Sequence, residues 1–568
     1  MMKKALEGSL EPEFYVYPFD TGFGKSTLIK AFIRLWKAKS FKPEGSILII
    51  LKTVEEIKTF IEGCGLDGGD FAAFTGNEAI NSLGLKSENR DDAPVLFTTH
   101  AMVRARLQKK PFASASEFYY KGRCRTLRIW DEEANRAERI HLPLDDITKI
   151  FGPIRPYYPD WVEGLESFVA LANRAGLHST LTIPKRLGSG KQFRYVEGHA
   201  PILTTEQLEI VKQVKAALGK QLLLCSGKKY GKTLVGHKAP FPDDLAPMLI
   251  FDASARIGDT YHLWSKVQKV RVMPSLVRDY KNLTVRIWKT ACGSAVLEDE
   301  HKRRGILSAI GRAINADPQP TLLIGKKPRE KLFDLYAELS EHLDDEDGLS
   351  FRHWGIHYGT NEFQHMKRLF VIGEYRSRET ISVATYMVAS GALPKDIVGN
   401  EWIAISRAEI QRNLLQAFSR GNLRNGTNGE CGECVVYWIV PHSNDPVKLA
   451  HEPFPGCKVE MWEPYGTVIK GQAKAVFDTL KMRVDQGITG EISKMAIRLS
   501  IGINNSSRFS QILADPAFKR AASEIGVTWN KNNFVIADTQ SITKISGSLK
   551  LRRERKNALR TVEAALAA

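Results

Sequence analysis

The chain has 568 residues, 43% of them apolar and 26% charged, which is typical of a soluble globular protein and at roughly 150 residues per domain predicts three or four structural units. No apolar run approaches the roughly 18 residues of a membrane span, and no secretion signal follows the basic N-terminus, so no membrane association and a cytoplasmic location are expected. Its 81 lysines and arginines exceed its 64 aspartates and glutamates by 17, which favours a polyanionic partner because neutralised phosphates release counterions.

The first 135 residues alternate short apolar runs with amphipathic segments. Strands are predicted at 14–19, 46–52, 95–100 and 127–133, and helices at 27–38 and 54–63. This alternation predicts a parallel sheet with helices on both of its faces. Residues from about 136 to 245 break the pattern and are predicted to form an insertion.

A buried-strand pattern resumes at 247–254, and a second alternating region follows it. Its predicted elements are a helix at 301–314 and strands at 284–289, 321–325, 351–359, 368–374 and 434–441. The predicted fold class is therefore α/β with two parallel-sheet lobes, and the predicted domains are residues 1–265, 266–455 and 456–568.

The segment after residue 456 has a different pattern. Three short helices are predicted at 491–502, 508–514 and 518–526, followed by a hairpin at 528–537. Three helices and a hairpin suit a winged helix-turn-helix that binds nucleic acid, and a small helical packing module is an equal alternative. The basic run at 550–560 either contacts phosphates or is a solvated helix.

A phosphate-loop pattern lies between the first predicted strand and helix, in the sequence Thr21-Gly22-Phe23-Gly24-Lys25-Ser26-Thr27. Its glycines allow main-chain amides to surround phosphates, and the helix N-terminus adds partial positive charge. Lys25 is predicted to reach the β- and γ-phosphates and the Ser26 hydroxyl to ligate Mg²⁺. A second match at 227–233 is one residue short and is interpreted as a turn within the insertion.

Carboxylates end the predicted strand at 127–133. Asp131 is predicted to hold Mg²⁺, and Glu132 to polarise the water that attacks the γ-phosphate. The alternative is the acidic start of a solvated helix, and the position after a phosphate loop favours the catalytic interpretation. Cys431 and Cys434 have metal-ligand spacing, with His442 and Cys457 as distant candidates, but a turn with incidental thiols is preferred over zinc.

The ordered set of motifs resembles the superfamily 2 helicases and related DEAD/DEAH-like motors, most closely those of phages and mobile elements. The segments that carry the resemblance are TGFGKST, SILIILK, FTGN, VLFTTHAMV, WDEEA, LIFDASA, GIHYGTNEF, RLFVIGEYRSRE and QAFSRGNLR. The resemblance covers roughly residues 14–135 and 246–442 and implies two RecA-like lobes. The first and fifth segments are the specific ones taken singly.

The resemblance also implies residue roles. Gln416 would contact the γ-phosphate and its water, and Arg420 and Arg424 would stabilise the transition state from the second lobe. Leu423 occupies the place where the family usually has its second arginine, which weakens the assignment of Arg424. The residues implied to contact the nucleic-acid backbone are Thr98, Thr99, His100, Thr360 and Asn361.

The function expected from these patterns is an ATP- and Mg²⁺-dependent helicase or translocase, with DNA preferred over RNA as its partner. A role in replication, with replication partners or an upstream domain on a separate chain, is a further expectation from the resemblance. Two alternatives stay open: a packaging-type ATPase motor, and a nucleic-acid-binding regulator that ATP switches without turnover. The Asp131–Glu132 pair disfavours the regulator, and a tail without clustered acidic residues disfavours the packaging motor.

Overall fold

The computed structural model describes residues 1–38, 45–107, 110–188, 203–227, 231–330, 332–355, 362–397, 399–441, 445–465 and 471–536. The chain forms two compact units, residues 1–461 and 462–568. Strands of the first unit are β1 (Phe14–Tyr17), β2 (Ile47–Leu51), β3 (Phe71–Phe74), β4 (Val95–Thr99), β5 (Tyr119–Tyr120), β6 (Arg123–Cys124), β7 (Leu127–Asp131), β8 (Ala137–Pro143), β9 (Thr180–Thr182), β10 (Gln221–Ser226), β11 (Lys232–Pro240), β12 (Met248–Phe251), β13 (Val270–Val272), β14 (Leu283–Lys289), β15 (Thr321–Gly325), β16 (Leu349–His353), β17 (Arg368–Ile372), β18 (Cys434–Val440) and β19 (Lys458–Met461).

The first lobe is built on a seven-stranded parallel sheet in the order β13-β1-β12-β7-β2-β4-β3. Its central strands β2 and β7 are buried along their whole length, because helices cover both faces of the sheet. Those helices span Met2–Leu6, Lys25–Lys37, Val54–Cys64, Glu78–Asn81, His100–Arg106 and Thr260–Ser265. The phosphate-loop strand β1 and the acidic strand β7 flank β12, so their carboxyl ends open at one edge of the sheet.

The insertion lies between β7 and β12 and folds around its own antiparallel sheet, in the order β8-β11-β10-β9. Its helices span Leu144–Thr148, Phe151–Ile154, Pro159–Arg174 and Thr205–Ala217. These elements bury a separate apolar cluster that includes Trp161, Phe168 and Leu224. The second phosphate-loop-like match falls between β10 and β11, which pair as antiparallel neighbours, so a strand rather than a helix follows it.

The second lobe has a six-stranded parallel sheet in the order β16-β15-β17-β18-β14-β19. Its helices span Ser294–Glu298, Glu300–Asn315, Leu335–Ser340, Glu379–Ser390, Trp402–Phe418 and Pro446–His451. Helix Glu379–Ser390 packs against the insertion, where Val383 and Met387 share an apolar cluster with Leu223 and Val235. The insertion therefore contacts both lobes.

The unit formed by residues 462–568 has its own apolar core, which includes Phe509, Phe518 and Phe534. Its helices span Gly471–Asp485, Lys494–Ser500, Ser506–Ala514 and Pro516–Glu524, and its antiparallel strands are β20 (Gly490–Ser493), β21 (Val527–Trp529) and β22 (Asn533–Ile536). The predicted hairpin is β21–β22, and β20 extends it to three strands in the order β20-β22-β21.

The predicted α/β fold class is confirmed: the chain has two parallel-sheet lobes, an insertion in the first and a mostly helical C-terminal unit. The sheets extend past the expected domain borders, because β13 pairs with β1 and β19 pairs with β14. Both additions are short edge strands. Within the described parts of the chain, no helix combines the length and apolar character needed to cross a membrane.

Candidate phosphate-loop site

The predicted phosphate loop connects β1 to helix Lys25–Lys37. Gly22 and Gly24 have φ angles of +81° and +75°, a region that L side chains rarely adopt. A β-carbon at Gly22 would also collide with the main-chain oxygen of Arg424, a residue of the second lobe. Glycine at this position is therefore required both by the loop's conformation and by the close approach of the other lobe.

Lys25 is the first residue of the helix, and its ammonium group is held within the loop. Nζ donates to the carbonyl oxygens of Phe19 at 2.8 Å and Asp20 at 3.3 Å. Burial lowers the pKa of Lys25, and the nearby carboxylates, led by Asp131 and Asp252, oppose that shift. The lysine therefore lies between the loop and the acidic strand ends, where a phosphate-binding cation is needed.

Asp131 ends β7 and is almost completely buried. Burial raises the pKa of its carboxyl group to about 7, although the Lys25 cation favours the charged form. A divalent cation would compensate this charge, so the carboxyl group fits the predicted role of Mg²⁺ ligand. Ser26, beside Lys25 in the first turn of the helix, is half-buried and would supply a hydroxyl ligand.

Glu132 follows directly, with a φ of +72° that is uncommon for a residue with a side chain. Its amide donates to the Phe251 carbonyl at 2.9 Å, and its carboxylate forms an ion pair with Lys52 at 3.0 Å. Such strained backbone persists where surrounding contacts fix it, and it clusters at functional sites.

A hydrogen-bond chain connects the end of β12 to the acidic segment. Asp252 accepts from the Ser254 amide and hydroxyl at 2.8 and 2.7 Å, and from the Tyr261 hydroxyl at 2.8 Å. The Tyr261 oxygen accepts in turn from the Ala134 amide at 3.0 Å. The LIFDASA segment is therefore rigidly coupled to the WDEEA segment, and Tyr261 is a linking residue that the sequence did not reveal.

The second-lobe segment at 416–424 reaches the phosphate loop. The Thr21 hydroxyl donates to the Ser419 hydroxyl at 2.7 Å. Arg420 is buried and donates to the Gln416 carbonyl at 3.1 Å and side-chain oxygen at 2.9 Å, so these two predicted catalytic side chains contact each other. Burial and the neighbouring Arg278 cation lower the pKa of Arg424, which lies beside the loop.

Three of the predicted nucleic-acid contacts have structural tasks inside the first lobe. The buried Thr98 hydroxyl donates to the Phe74 carbonyl at 2.7 Å, and the Thr99 hydroxyl caps helix His100–Arg106. The His100 ring stacks on Trp130 at 4.0 Å and hydrogen-bonds the Asp131 carbonyl at 2.9 Å, and burial lowers its pKa to about 3.

The buried position of Thr98 does not support a direct contact between its hydroxyl and a strand, and His100 is a neutral support for the acidic segment. Thr360 and Asn361, the other predicted contacts, lie outside the described residues.

Sequence reasoning missed a network around Asp20, the residue before the loop. Its fully buried carboxylate accepts from Arg256 Nε at 2.8 Å, from the Tyr280 hydroxyl at 2.9 Å and from the Arg278 amide at 3.1 Å. Arg256 also donates to the Pro453 carbonyl of the second lobe at 2.7 Å. The acidic Asp20 at the start of the phosphate loop was the signal that the sequence offered for this network. The connector between the lobes carries no sequence pattern that would have revealed the partners of Asp20.

The cysteines show no arrangement of metal ligands in the described segments. Cys431, Cys434 and Cys457 are buried, and burial raises the pKa of each thiol. The described residues contain no group of three or more histidine, cysteine, aspartate or glutamate side chains able to hold a metal ion. His442 lies outside them.

The strand–loop–helix unit, together with a carboxylate-bearing strand two positions away in the same parallel sheet, defines a phosphate-loop α/β fold. No protein-family model matches the chain, and no curated protein matches it in sequence.

Among solved structures, it is similar to S. tokodaii Xpd4, with a TM-score of 0.45, 10% identity and coverage of 81% of this chain and 97% of that one. It is also similar to E. coli DExH-box NTPase HrpB, with a TM-score of 0.34, 9% identity and coverage of 93% and 48%. A third is a variant of S. cerevisiae Dbp5 bound to RNA and ADP BeF3, with a TM-score of 0.34, 9% identity and coverage of 80% and 86%.

The raised pKa of Asp131 predicts a pH dependence of metal binding. The carboxyl group must be ionised to ligate Mg²⁺, so the gain in nucleotide affinity that Mg²⁺ provides should be complete above about pH 8 and decline as pH falls through about 7. Titration of a fluorescent ATP analogue with and without Mg²⁺ across this range measures the gain. Asp131→Asn should lose most of the Mg²⁺-dependent gain in nucleotide affinity at every pH. The pH dependence that remains in this variant reports the titration of the nucleotide itself. A wild-type gain that follows the same pH curve as that variant would contradict the assignment.

Proposed function

We propose that the chain is an ATP-dependent nucleic-acid motor, a helicase or translocase of the superfamily 2 kind. The observation that carries the proposal is the contact between the phosphate loop and the second lobe, through Thr21 and Ser419 at 2.7 Å and through the main chain of Gly22 and Arg424. A site that is completed from two lobes changes when the lobes separate. Nucleotide binding and hydrolysis can therefore drive relative movement of the lobes.

The proposed chemistry uses residues from both lobes. Lys25 and the loop amides would bind the β- and γ-phosphates, and Asp131 and Ser26 would hold Mg²⁺, which would supply positive charge near the transferred phosphoryl group. Glu132 orients and deprotonates the attacking water. Gln416, Arg420 and Arg424 complete the pocket from the second lobe and stabilise the transition state as the cleft closes.

Nucleic acid is the proposed partner, with DNA preferred. The net charge of +17 favours a polyanion. The C-terminal unit combines four helices with a three-stranded antiparallel sheet, and this combination supports the winged-helix proposal. Ser506, Ser507, Arg508 and Gln511 are exposed on one of its helices. That helix, Ser506–Ala514, follows helix Lys494–Ser500, and exposed donors on the second helix of such a pair suit contact with a groove. Lys531 lies exposed in the turn between β21 and β22. Replication of a phage or mobile element is the setting that the motif resemblance suggests.

A regulator switched by ATP without turnover is the second candidate. Its phosphate loop would need no catalytic carboxylate, whereas Glu132 is placed by a strained left-handed turn beside Asp131. The strained backbone at Glu132 favours a catalytic role for this residue, because such strain clusters at functional sites. ATPase activity with and without single-stranded DNA separates the two, because only a motor should show turnover that DNA stimulates.

Lys25→Ala should abolish ATP turnover, with a loss of at least ~100-fold, because Lys25 is the loop residue whose ammonium group is proposed to neutralise the γ-phosphate. Steady-state phosphate release measures the effect. Lys58→Ala is the matched control, since Lys58 is exposed on helix Val54–Cys64, and it should retain wild-type activity. Nearly normal hydrolysis by Lys25→Ala would refute the phosphate-loop assignment.

Glu132→Gln should bind ATP with an affinity within about threefold of wild type and hydrolyse it about 100-fold more slowly, because an amide cannot accept the proton of the attacking water. Single-turnover hydrolysis and equilibrium nucleotide binding give the two quantities separately. The exposed Glu55→Gln is the control. Loss of ATP binding in Glu132→Gln would instead assign Glu132 a structural role.

Truncation after Met461 should remove a compact unit while leaving both lobes intact. We expect DNA affinity to fall by about tenfold or more and basal ATPase to change by less than about twofold. Fluorescence anisotropy with labelled single- and double-stranded DNA measures the affinity. Arg508→Ala combined with Lys531→Ala should reproduce part of the loss, and Lys474→Ala, which removes a charge already paired with Asp478, should not. Unchanged affinity of the truncated chain would exclude DNA binding by this unit.

A further inference from the structure

Arg278 belongs to the connector between the lobes and is only 5% exposed. Its guanidinium donates to two phosphate-loop carbonyls, Thr21 at 3.1 Å and Gly22 at 2.7 Å. The same group donates to two second-lobe carbonyls, Arg424 at 3.2 Å and Glu430 at 2.7 Å. It also lies over the Phe23 ring, with 4.9 Å from the guanidinium carbon to the ring centroid. One side chain therefore joins the loop to the opposite lobe.

The direction of these bonds determines where the loop amides point. A trans peptide is planar, so its N–H points opposite to its C=O. Because the carbonyls of Thr21 and Gly22 face Arg278, the amides of Gly22 and Phe23 face the other way, and the Phe23 amide forms a long hydrogen bond of 3.4 Å to the Asp20 carbonyl. Lys25 holds the preceding carbonyls, those of Phe19 and Asp20, from its own side. Two cations thus hold successive peptide planes, and an anion is bound where amides converge.

The bonds of Arg278 also depend on the arrangement of the lobes. Separation of the second lobe from the loop would remove the Arg424 and Glu430 acceptors and leave the guanidinium with half of its partners. Within the described part of the chain, the hydrogen bonds of the guanidinium itself are all to carbonyl oxygens, and the Asp20 carboxylate accepts from the Arg278 main-chain amide instead. A buried guanidinium that has lost half of its acceptors is stabilised by a nearby polyanion such as a triphosphate.

We propose that Arg278 is a positioning residue that orients the phosphate-loop amides for a polyphosphate and makes this orientation depend on lobe closure. The inference rests on the proposed function, because it assigns the loop to nucleotide binding. Without Arg278, a smaller fraction of molecules would hold the amides in the binding orientation. Apparent affinity would then fall in proportion to that fraction, whereas turnover at saturation would be largely retained.

The test compares Arg278→Gln and Arg278→Lys with Arg271→Gln in the full-length chain. Arg271 lies on the exposed edge strand β13, where its charge pairs with Glu13, and it does not contact the loop. The probes are Mg²⁺–ATP and Mg²⁺–inorganic triphosphate, each measured by displacement of a fluorescent ATP analogue. Steady-state hydrolysis gives KM and kcat, and circular dichroism and the thermal midpoint establish folding.

Arg278→Gln should weaken ATP and inorganic triphosphate by the same factor of about tenfold and raise KM accordingly, with kcat within about threefold of wild type. Arg278→Lys should fall between wild type and Arg278→Gln, because an ammonium keeps the charge but cannot bond four carbonyls in a planar fork. Arg271→Gln should match wild type. The shared loss for both probes is the signature that a merely structural role would not produce.

Wild-type affinity for triphosphate in a folded Arg278→Gln would overturn the inference and leave the proposed function standing. A loss confined to ATP would overturn it too, since the contact would then be with the nucleoside. Unfolding of both Arg278 variants would assign the residue to core stability and also sink the idea. If the wild-type chain bound neither probe, the proposed function itself would fail.

Discussion

The structure depends on the contact between the phosphate loop and the second lobe. At Gly22 the main chains of the two lobes approach so closely that a β-carbon would not fit, and beside it the Thr21 and Ser419 hydroxyls share a hydrogen bond. Such a contact cannot deform gradually, since packed interfaces change between discrete arrangements. A change in the conformation of the loop would therefore change the position of the 416–424 segment, and the reverse also holds. A ligand bound to one of the two segments would shift the conformation of the other.

Three buried aspartates around this contact are compensated in three different ways. Asp20 is paired with Arg256 and bonded by Tyr280, and Asp252 accepts from the hydroxyls of Ser254 and Tyr261. Both are satisfied by protein groups and hold elements together. Asp131 depends chiefly on the Lys25 cation, and burial still raises its pKa to about 7. Burial raises the pKa of Asp252 as well, but the Asp252 carboxylate accepts from the Ser254 and Tyr261 hydroxyls, whereas the charged form of Asp131 is favoured chiefly by the Lys25 cation. This difference in partners distinguishes a candidate metal ligand from two structural carboxylates.

Much of this site could be predicted from the sequence because its strands are buried on both faces. Runs such as ILIIL and LRIWD mark β2 and β7 without ambiguity, and the glycine turn and the carboxylates follow from where such strands end. Thr98 could not be assigned in this way, since an inward and an outward hydroxyl look alike in a sequence. The edge strands β13 (VRV) and β19 (KVEM) alternate polar and apolar residues, but with three and four residues they are too short to be recognised from this pattern. Arg278 lies in an irregular connector, so its partners, separated from it by more than a hundred residues, emerge only from the fold.

The insertion adds a second constraint on how the lobes can move. Its sheet packs Leu223 and Val235 against Val383 and Met387 of the second lobe, and His141 and Arg139 hydrogen-bond Thr380 and Thr385 at 2.8 and 3.0 Å. Burial and nearby arginines lower the pKa of His141 to about 4, so the ring stays neutral and remains compatible with an apolar contact. The lobes are thus joined at the phosphate loop and again through the insertion. A relative rotation that opens the first contact must either pivot about the second or break it. Sliding along helix Glu379–Ser390 would break the two hydrogen bonds but keep apolar side chains in contact, whereas separation would lose both kinds of interaction. In the proposed motor, the insertion would therefore guide the movement of the second lobe, and nucleotide binding at the phosphate loop would trigger it.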